Sequence, residues 1–386
     1  MKHPMFKEEH DLFRESVRKF VQKEIVPNAE KWEEEEFFPD DIFRKLGALG
    51  FIGAHFPEEY GGGGGDYLYS LILGEELAKG GMAGLGMGIG VVTGMAIPPI
   101  LKFGTEDQKN RFVAPAARGE KIPALAITEP NAGSDVAAIQ TTAFRDGNQW
   151  LINGSKIFIT NGVRCDFVLL VARSEKGSKG GKGISLFIVE KGTPGFKVSR
   201  KLKKVGMRSS DTAELSFEDC RIPIENLVGE EGKGFKQIMW ELQGERITSC
   251  AASVARAERA FELALQYSKE RVQFGKPIGA FQVTQHKLAE MAAKIEMCRQ
   301  FVYNVAWAFM NGGYPVKEIS MAKLMTSQLM FWVGDDALQI HGGYGYMMEY
   351  EVQRYWRDLR LPRIGGGTDE IMKEIIAAEL GLKSLK

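Results

Sequence analysis

Between about residues 123 and 230 the helical spacing of apolar residues gives way to short β-rich runs. These are Ala124–Ile127, Thr141–Arg145, Trp150–Ile152, Ile157–Thr160, Val168–Ala172, Ile184–Val189 and Thr212–Phe217. Turn signals part them: Asp146-Gly147, Asn153-Gly154, Asn161-Gly162 and Thr193-Pro194-Gly195, residue types that suit tight connections. Closely spaced strands predict a small barrel or two packed sheets. Lys176 to Gly183 reads as a polar, mobile loop inside this block.

The block is flanked on both sides by helical periodicity. Phe13, Val17, Phe20, Val21 and Ile25 mark one face of a helix ending at Pro27. Pro39-Asp40 opens a second helix and Tyr67–Lys79 is a third. Thr105-Glu106-Asp107-Gln108 has the form of a capping box. After Gly234 the expected helices are Phe235–Arg271, Gln282–Asn311, Val316–Leu338 and Thr368–Leu380, few of whose inner-face positions carry charge, which predicts a bundle. The expected fold class is α+β and multidomain: an all-α domain over 1–122, a β-barrel or sandwich domain over 123–232, and a four-helix bundle over 233–386.

Composition excludes several functions. The 386 residues are 44% hydrophobic, enough for large cores. Lys+Arg and Asp+Glu balance at 50 each, so no long-range field favours nucleic acid. The four cysteines (Cys165, Cys220, Cys250, Cys298) form no Cys-x-x-Cys pair and read as reduced thiols. The five histidines lack metal-ligand spacing, so no metal is expected. Met1 to Glu9 lacks a signal core, and no run is expected to span a membrane. A cytoplasmic location follows as the expectation, with a processed mitochondrial matrix form left open.

Met82–Ile100 is apolar but interrupted by Gly84, Gly86, Gly88, Gly90 and Gly94. Its spacing fails the G-x-G-x-x-G test, so a Rossmann reading has no support. Glycines inside a helix cost stability; close packing or open space beside the segment would compensate. Near the C-terminus, Gly365-Gly366-Gly367 leads through Thr368, Asp369 and Glu370 into the last apolar-periodic run. Thr368 or Asp369 can cap that helix, and the glycines permit close backbone approach.

Two long stretches resemble the signature motifs of the acyl-CoA dehydrogenase family. One is Ala126-Ile127-Thr128-Glu129-Pro130-Asn131-Ala132-Gly133-Ser134-Asp135. The other is Gln339-Ile340-His341-Gly342-Gly343-Tyr344-Gly345-Tyr346-Met347-Met348-Glu349, followed by Arg354 and Asp358 at the family's spacing. Lys156–Gly162, Asp211–Asp219 and Arg271–Lys276 add to the resemblance, which covers essentially the whole chain. It implies FAD held between the three domains, a homotetramer built as a dimer of dimers, an acyl-CoA substrate and an electron-transfer flavoprotein as partner. The flavin contacts it implies are Leu125, Ala126, Ile127, Thr128, Gly133, Ser134, Phe158, Ile159, Thr160, Thr368 and Glu370, with Arg271, Gln273, Phe274, Gln282, Gln339, Ile340, Gly342 and Gly343 reaching the FAD of a neighbouring subunit. Arginine suits a pyrophosphate because its fork bonds two oxygens at once.

The reaction implied is αβ-dehydrogenation of an acyl-CoA thioester to the trans-2-enoyl-CoA. A carboxylate removes the α-proton, the β-hydride passes to flavin N5, and hydrogen bonds polarise the thioester carbonyl. Most relatives carry the carboxylate where this chain has Gly366, which has no side chain. The isovaleryl and long-chain types share that gap and place the base in a Glu-Arg pair on another helix, matched here by Glu245-Arg246. The base is therefore assigned to Glu245, with Glu241, one turn earlier, as its rival. Gly366 keeps a main-chain N–H that can polarise the thioester. Substrate contacts are expected at Ser134, Gln243, Arg246, Gly366 and Gly367. The expected substrate is a medium- or long-chain or bulky acyl-CoA. Branched-chain, aromatic and alicyclic acyl-CoAs stay open, as do an acyl-CoA oxidase and a non-enzymatic scaffold on the same fold.

Overall fold

The computed structural model describes residues 3–382. Met1, Lys2 and residues 383–386, at the outer ends of the two expected helical domains, lie outside the described residues. The described chain runs helix, sheet, helix.

Strands β1 (Pro123–Ala126), β2 (Thr142–Asp146), β3 (Gln149–Thr160), β4 (Phe167–Arg173), β5 (Ile184–Glu190), β6 (Phe196–Lys201), β7 (Thr212–Pro223) and β8 (Leu227–Val228) form one sheet, ordered β6-β7-β3-β2-β4-β5-β8 with β1 beside β4. The β2–β4 junction is a single pair, Thr142 with Arg173. There the sheet curls, so that Trp150 of β3 meets Phe187 of β5 at 5.0 Å between rings. Val168, Leu170 and Ala172 fill the inside of the curl, while Phe167, Leu169 and Val171 pack against the N-terminal helices. Burial on both faces explains why β4 reads as an unbroken apolar run.

Two local expectations fail here. Asn153-Gly154 is not a turn: β3 continues through it, with register shifts at Ile152/Gly154 and Lys156/Ile159. Gly154 sits at φ +150, where a Cβ would lie 2.5 Å from Thr141 Oγ1, so the glycine marks a bulge pressed against the segment before β2. Strand β6 was not anticipated, because its Phe-Lys-Val-Ser-Arg-Lys sequence is mostly exposed at a sheet edge and has only Phe196 and Val198 as apolar residues, too short an alternation to mark a strand.

Three long helices, Gly234–Glu270, Gln282–Met310 and Val316–His341, with Asp369–Glu379, make the C-terminal bundle. Leu68–Ala78 from the N-terminal domain packs along the first of them. Ala83–Phe103 is a helix with a π-helical stretch at Val91–Ala96. By length and hydropathy its 21 residues would suffice to cross a bilayer, contrary to expectation; 61% of its most apolar window is instead buried inside the protein.

The glycines of that segment divide by face. A Cβ on Gly84 would lie 2.4 Å from Ser209 Oγ, and one on Gly88 3.0 Å from Phe38, so these two sit in tight packing. Gly90 and Gly94 have nothing within 4 Å of a built Cβ. Gly86, Gly90 and Gly94 recur every four residues and share one helical face; that face borders open space at Gly90 and Gly94, while Arg256 and Leu77 lie against Gly86. Compensation by packing and compensation by open space both occur, on different sides.

Candidate active site

The Gly234–Glu270 helix and the glycine turn before the last helix meet although 120 positions separate Arg246 from Gly366. Arg246 Nε donates to the Gly366 carbonyl oxygen at 3.0 Å. Lys323, from Val316–His341, donates through Nζ to the Gly367 carbonyl oxygen. Two buried cations thus hold the carbonyls of the turn. Among the described residues, no hydrogen-bond acceptor is recorded for the Gly366 N–H.

Gly366 has φ +66, a left-handed conformation that side chains disfavour. A Cβ built there would lie 3.0 Å from Glu245 Oε2 and 3.3 Å from Oε1. The carboxylate of Glu245 therefore occupies the volume that a side chain from position 366 would need. Glu245 is 8% exposed, and its Oε2 has no hydrogen-bond partner. Burial pushes its carboxyl above the ordinary value, while Arg246 and Lys323 pull it partly back. Such a carboxylate is poorly solvated and is free to take a proton.

Glu241 is also buried, with neither oxygen bonded. Burial and then the neighbouring Glu245 charge push it well above its ordinary value. Only Glu245 abuts the glycine turn, which separates the two. Gln243 donates to the Met239 carbonyl at 3.0 Å and leaves its own buried oxygen unpartnered. Three contributors were missed by sequence reasoning. Besides Lys323, the Tyr67 hydroxyl donates to the Gly244 carbonyl and lies 2.7 Å from Thr248 Oγ1, fixing the backbone beside Glu245 from another domain. Thr248 lies one turn from Glu245 on the same helix, but no spacing signal could have linked Lys323 and Tyr67 to it, since they approach from separate elements.

Thr368 caps the last helix, its hydroxyl accepting from the Ile371 N–H at 3.2 Å. Asp369 pairs instead with Arg363 at 2.7 Å and Ser327 at 3.0 Å. Exposed Glu370 is held below the usual carboxylate range by its own backbone N–H and the Thr368 hydroxyl.

The loop after β1 is held by a buried ion pair. Lys156 Nζ, fully buried, donates to Glu129 Oε1 at 2.8 Å and to the Ile127 carbonyl at 2.8 Å. Glu129 also accepts from the Gln140 and Thr141 N–H groups at 2.6 and 2.9 Å. Burial alone would raise its pKa; the Lys156 charge and these donors hold it below the ordinary value. Ile157 N–H donates to the Thr128 carbonyl, joining the loop to β3. Leu125, Ala126, Ile127 and Thr128 run along β1 into this loop, Gly133 and Ser134 lie exposed on it, and Ile159 and Thr160 end β3. Phe158 stands 65% exposed at φ +63 between half-buried Ile157 and buried Ile159. A Cβ on Gly133 would meet only Thr128, at 4.0 Å.

A second cleft, of about 500 Å³, is lined by Arg271 and Gln273 from one stretch and Ile340, Gly342 and Gly343 from another. The structure thus joins residues almost seventy positions apart that the resemblance had assigned one ligand. Built Cβ atoms on Gly342 and Gly343 meet nothing within 4 Å. Phe274 is 93% exposed beside it; Gln282 and Gln339 are exposed at helix positions outside the cleft lining. Open backbone beside an arginine and exposed aromatic rings fit a large, flat, anionic cofactor. Among the described residues no His/Cys/Asp/Glu group could hold a metal ion.

Three domain models match in order: the acyl-CoA dehydrogenase N-terminal domain over 7–120, its middle domain over 124–220 and its C-terminal domain over 232–381. The long-chain specific acyl-CoA dehydrogenase of Sus scrofa mitochondria is 42% identical over 97% of this chain and 87% of its own. The short-chain specific acyl-CoA dehydrogenase of Clostridium acetobutylicum is also 42% identical, over 96% of this chain and 98% of its own. A crystal structure of an acyl-CoA dehydrogenase from Geobacillus kaustophilus superimposes with a TM-score of 0.96 at 44% identity, covering 98% of this chain and all of that one.

Proposed function

The chain belongs to the acyl-CoA dehydrogenase family, and from that premise we propose that Glu245 is the base for a medium- or long-chain or bulky acyl-CoA. The enzyme is an oxidoreductase acting on the CH–CH bond of an acyl-CoA. The acyl chain loses a proton from its α-carbon and a hydride from its β-carbon, leaving the trans-2-enoyl thioester. FAD, in the reading taken here, supplies the hydride acceptor when bound.

The observation that carries the assignment is steric. Glu245 fills the space that a side chain at 366 would need, so one carboxylate serves the site. Burial raises its affinity for a proton, which suits a base acting on a weakly acidic C–H bond. Arg246 and Lys323 hold the turn by its carbonyls, and the Gly366 N–H is left to donate to the thioester oxygen where enolate charge grows. One position keeps polarisation while another performs deprotonation.

Thr128, Gly133, Ser134, Phe158 and Thr160 would hold the flavin from within the chain. Arg271, Gln273, Gly342 and Gly343 form a cleft far more exposed than the Glu245 site, which supports its use toward a neighbouring subunit's cofactor in a homotetramer. An electron-transfer flavoprotein is the proposed acceptor of the electrons. The open space beside Gly90 and Gly94 supports a long or bulky acyl group over a short one.

The test is Glu245→Gln. The variant should retain flavin and bind acyl-CoA, yet lose at least about a thousandfold in the rate of flavin bleaching. Normal bleaching by the flavin-loaded variant would refute the assignment.

A further inference from the structure

Arg256 lies on the helix that carries Glu245, eleven positions further on. Eleven residues are close to three full turns, so both face the same way, about 16 Å apart along the axis. Side chains lean toward a helix N-terminus, which brings the guanidinium back toward Glu245. Arg256 is 5% exposed, and its Nε is buried without an acceptor. Its terminal nitrogen lies 3.5 Å from a Cβ built on Gly86, one helical turn before Gly90 and on the same face. The guanidinium is thus packed one turn away from the open space beside Gly90 and Gly94.

Other buried cations in this protein are partnered. Arg164 donates to Asp211 at 2.6 Å and to the Phe38 carbonyl at 2.8 Å, and Lys156 has Glu129. For Arg256 no hydrogen bond or ion pair is recorded among the described residues. The carboxylate that acts on it most is Asp358, whose two oxygens already accept from the Ala83 and Met207 N–H groups. Burial raises Asp358 to about 6, so it stays largely ionised at neutral pH and acts on Arg256 by charge without a hydrogen bond. A buried cation without a bonded partner is costly, and a planar carboxylate is the group its fork matches best.

We propose that this groove receives acyl chains ending in a carboxylate, the CoA thioesters of dicarboxylic acids, and that Arg256 is the specificity-determining residue that binds their far end. The proposal rests on the reading of Glu245 as base and of the glycine face as the acyl site. The segment Gly84–Ile100 itself has no arginine; the charge arrives from the helix opposite, where no inspection of that segment would find it. The lack of a side chain at Gly86 lets the guanidinium pack against that helix, and the lack of one at Gly90 keeps the next turn open.

The experiment compares straight-chain acyl-CoAs with ω-carboxyacyl-CoAs of equal carbon number, about six to twelve carbons to span the helical separation, using the flavin-loaded enzyme under anaerobic conditions. At the best-fitting length, the second-order rate constant for single-turnover flavin bleaching should favour the ω-carboxy series by about tenfold or more. Arg256→Leu should erase that ratio and Arg256→Lys retain part of it. Should the leucine variant lose its flavin, Arg256→Gln takes its place, and the wild-type comparison stands without any variant. A preference for unsubstituted chains at every length would overturn the proposal. So would an unchanged ratio in a flavin-replete Arg256→Leu. Failure of both series to bleach the flavin would instead sink the underlying reading of base and groove, and this inference with it.

Discussion

At the scale of single residues, the site is organised by mutual exclusion between positions 245 and 366. A side chain at 366 would lie about 3 Å from the Glu245 carboxylate. Gly366→Glu alone should therefore displace Glu245 and abolish turnover, and Glu245→Ala alone should abolish it by removing the proposed base. The double variant Glu245→Ala/Gly366→Glu should recover activity above either single variant, measured as the rate of flavin bleaching. Left-handed strain at 366, about 1–2 kcal/mol, should keep it below the wild type and less stable. Glu241 behaves differently. The unfolded chain ionises it at the ordinary value while the folded chain holds its proton, so native stability falls as pH rises above the unfolded pKa. Glu241→Gln should melt a few degrees higher than wild type at about pH 8, with the gap closing near pH 4. The nearness of Glu245 to Gly366 was legible in the sequence because a carboxylate was missing at the turn. Lys323 and Tyr67 were not, because a lysine and a tyrosine on distant helices carry no pattern until the helices pack.

At the scale of elements, the long periodic helices and the apolar strands were readable, since burial of one face or both imposes their spacing. Strand β6 was not, being polar and at an edge. Nor was the continuity of β3 through Asn153-Gly154, where contact with Thr141, and not turn chemistry, demands the glycine. The loop after β1 was recognised by its motif, yet what holds it is the buried Lys156–Glu129 pair linking two stretches 27 positions apart. Removing one member of such a pair leaves the other charge buried and alone. Lys156→Met should cost about 3–5 kcal/mol in unfolding free energy. It should also speed flavin loss, because Thr128, Gly133 and Ser134 ride on that loop. A variant as stable as wild type, measured by denaturant titration, would mean the pair is dispensable.

At the scale of the whole molecule, buried polar contacts tie the three parts together. Asn161, beyond β3, donates through Nδ2 to the Gly88 carbonyl at 2.9 Å. Asp358, in the C-terminal part, accepts from Ala83 in the N-terminal part and from Met207 in the middle one. Heating should therefore give one cooperative calorimetric transition instead of three. Asp358→Asn retains one acceptor oxygen for two donors and should cost about 1–3 kcal/mol, broadening or splitting that transition. The crowding of Glu245 against Gly366 also bears on ancestry. A lineage would not drift smoothly between an acid at 245 and one at 366, since the halfway genotype has either two acids in one space or none. Descendants would be expected to keep whichever placement they inherited, making the pair of positions a marker of lineage more than of diet.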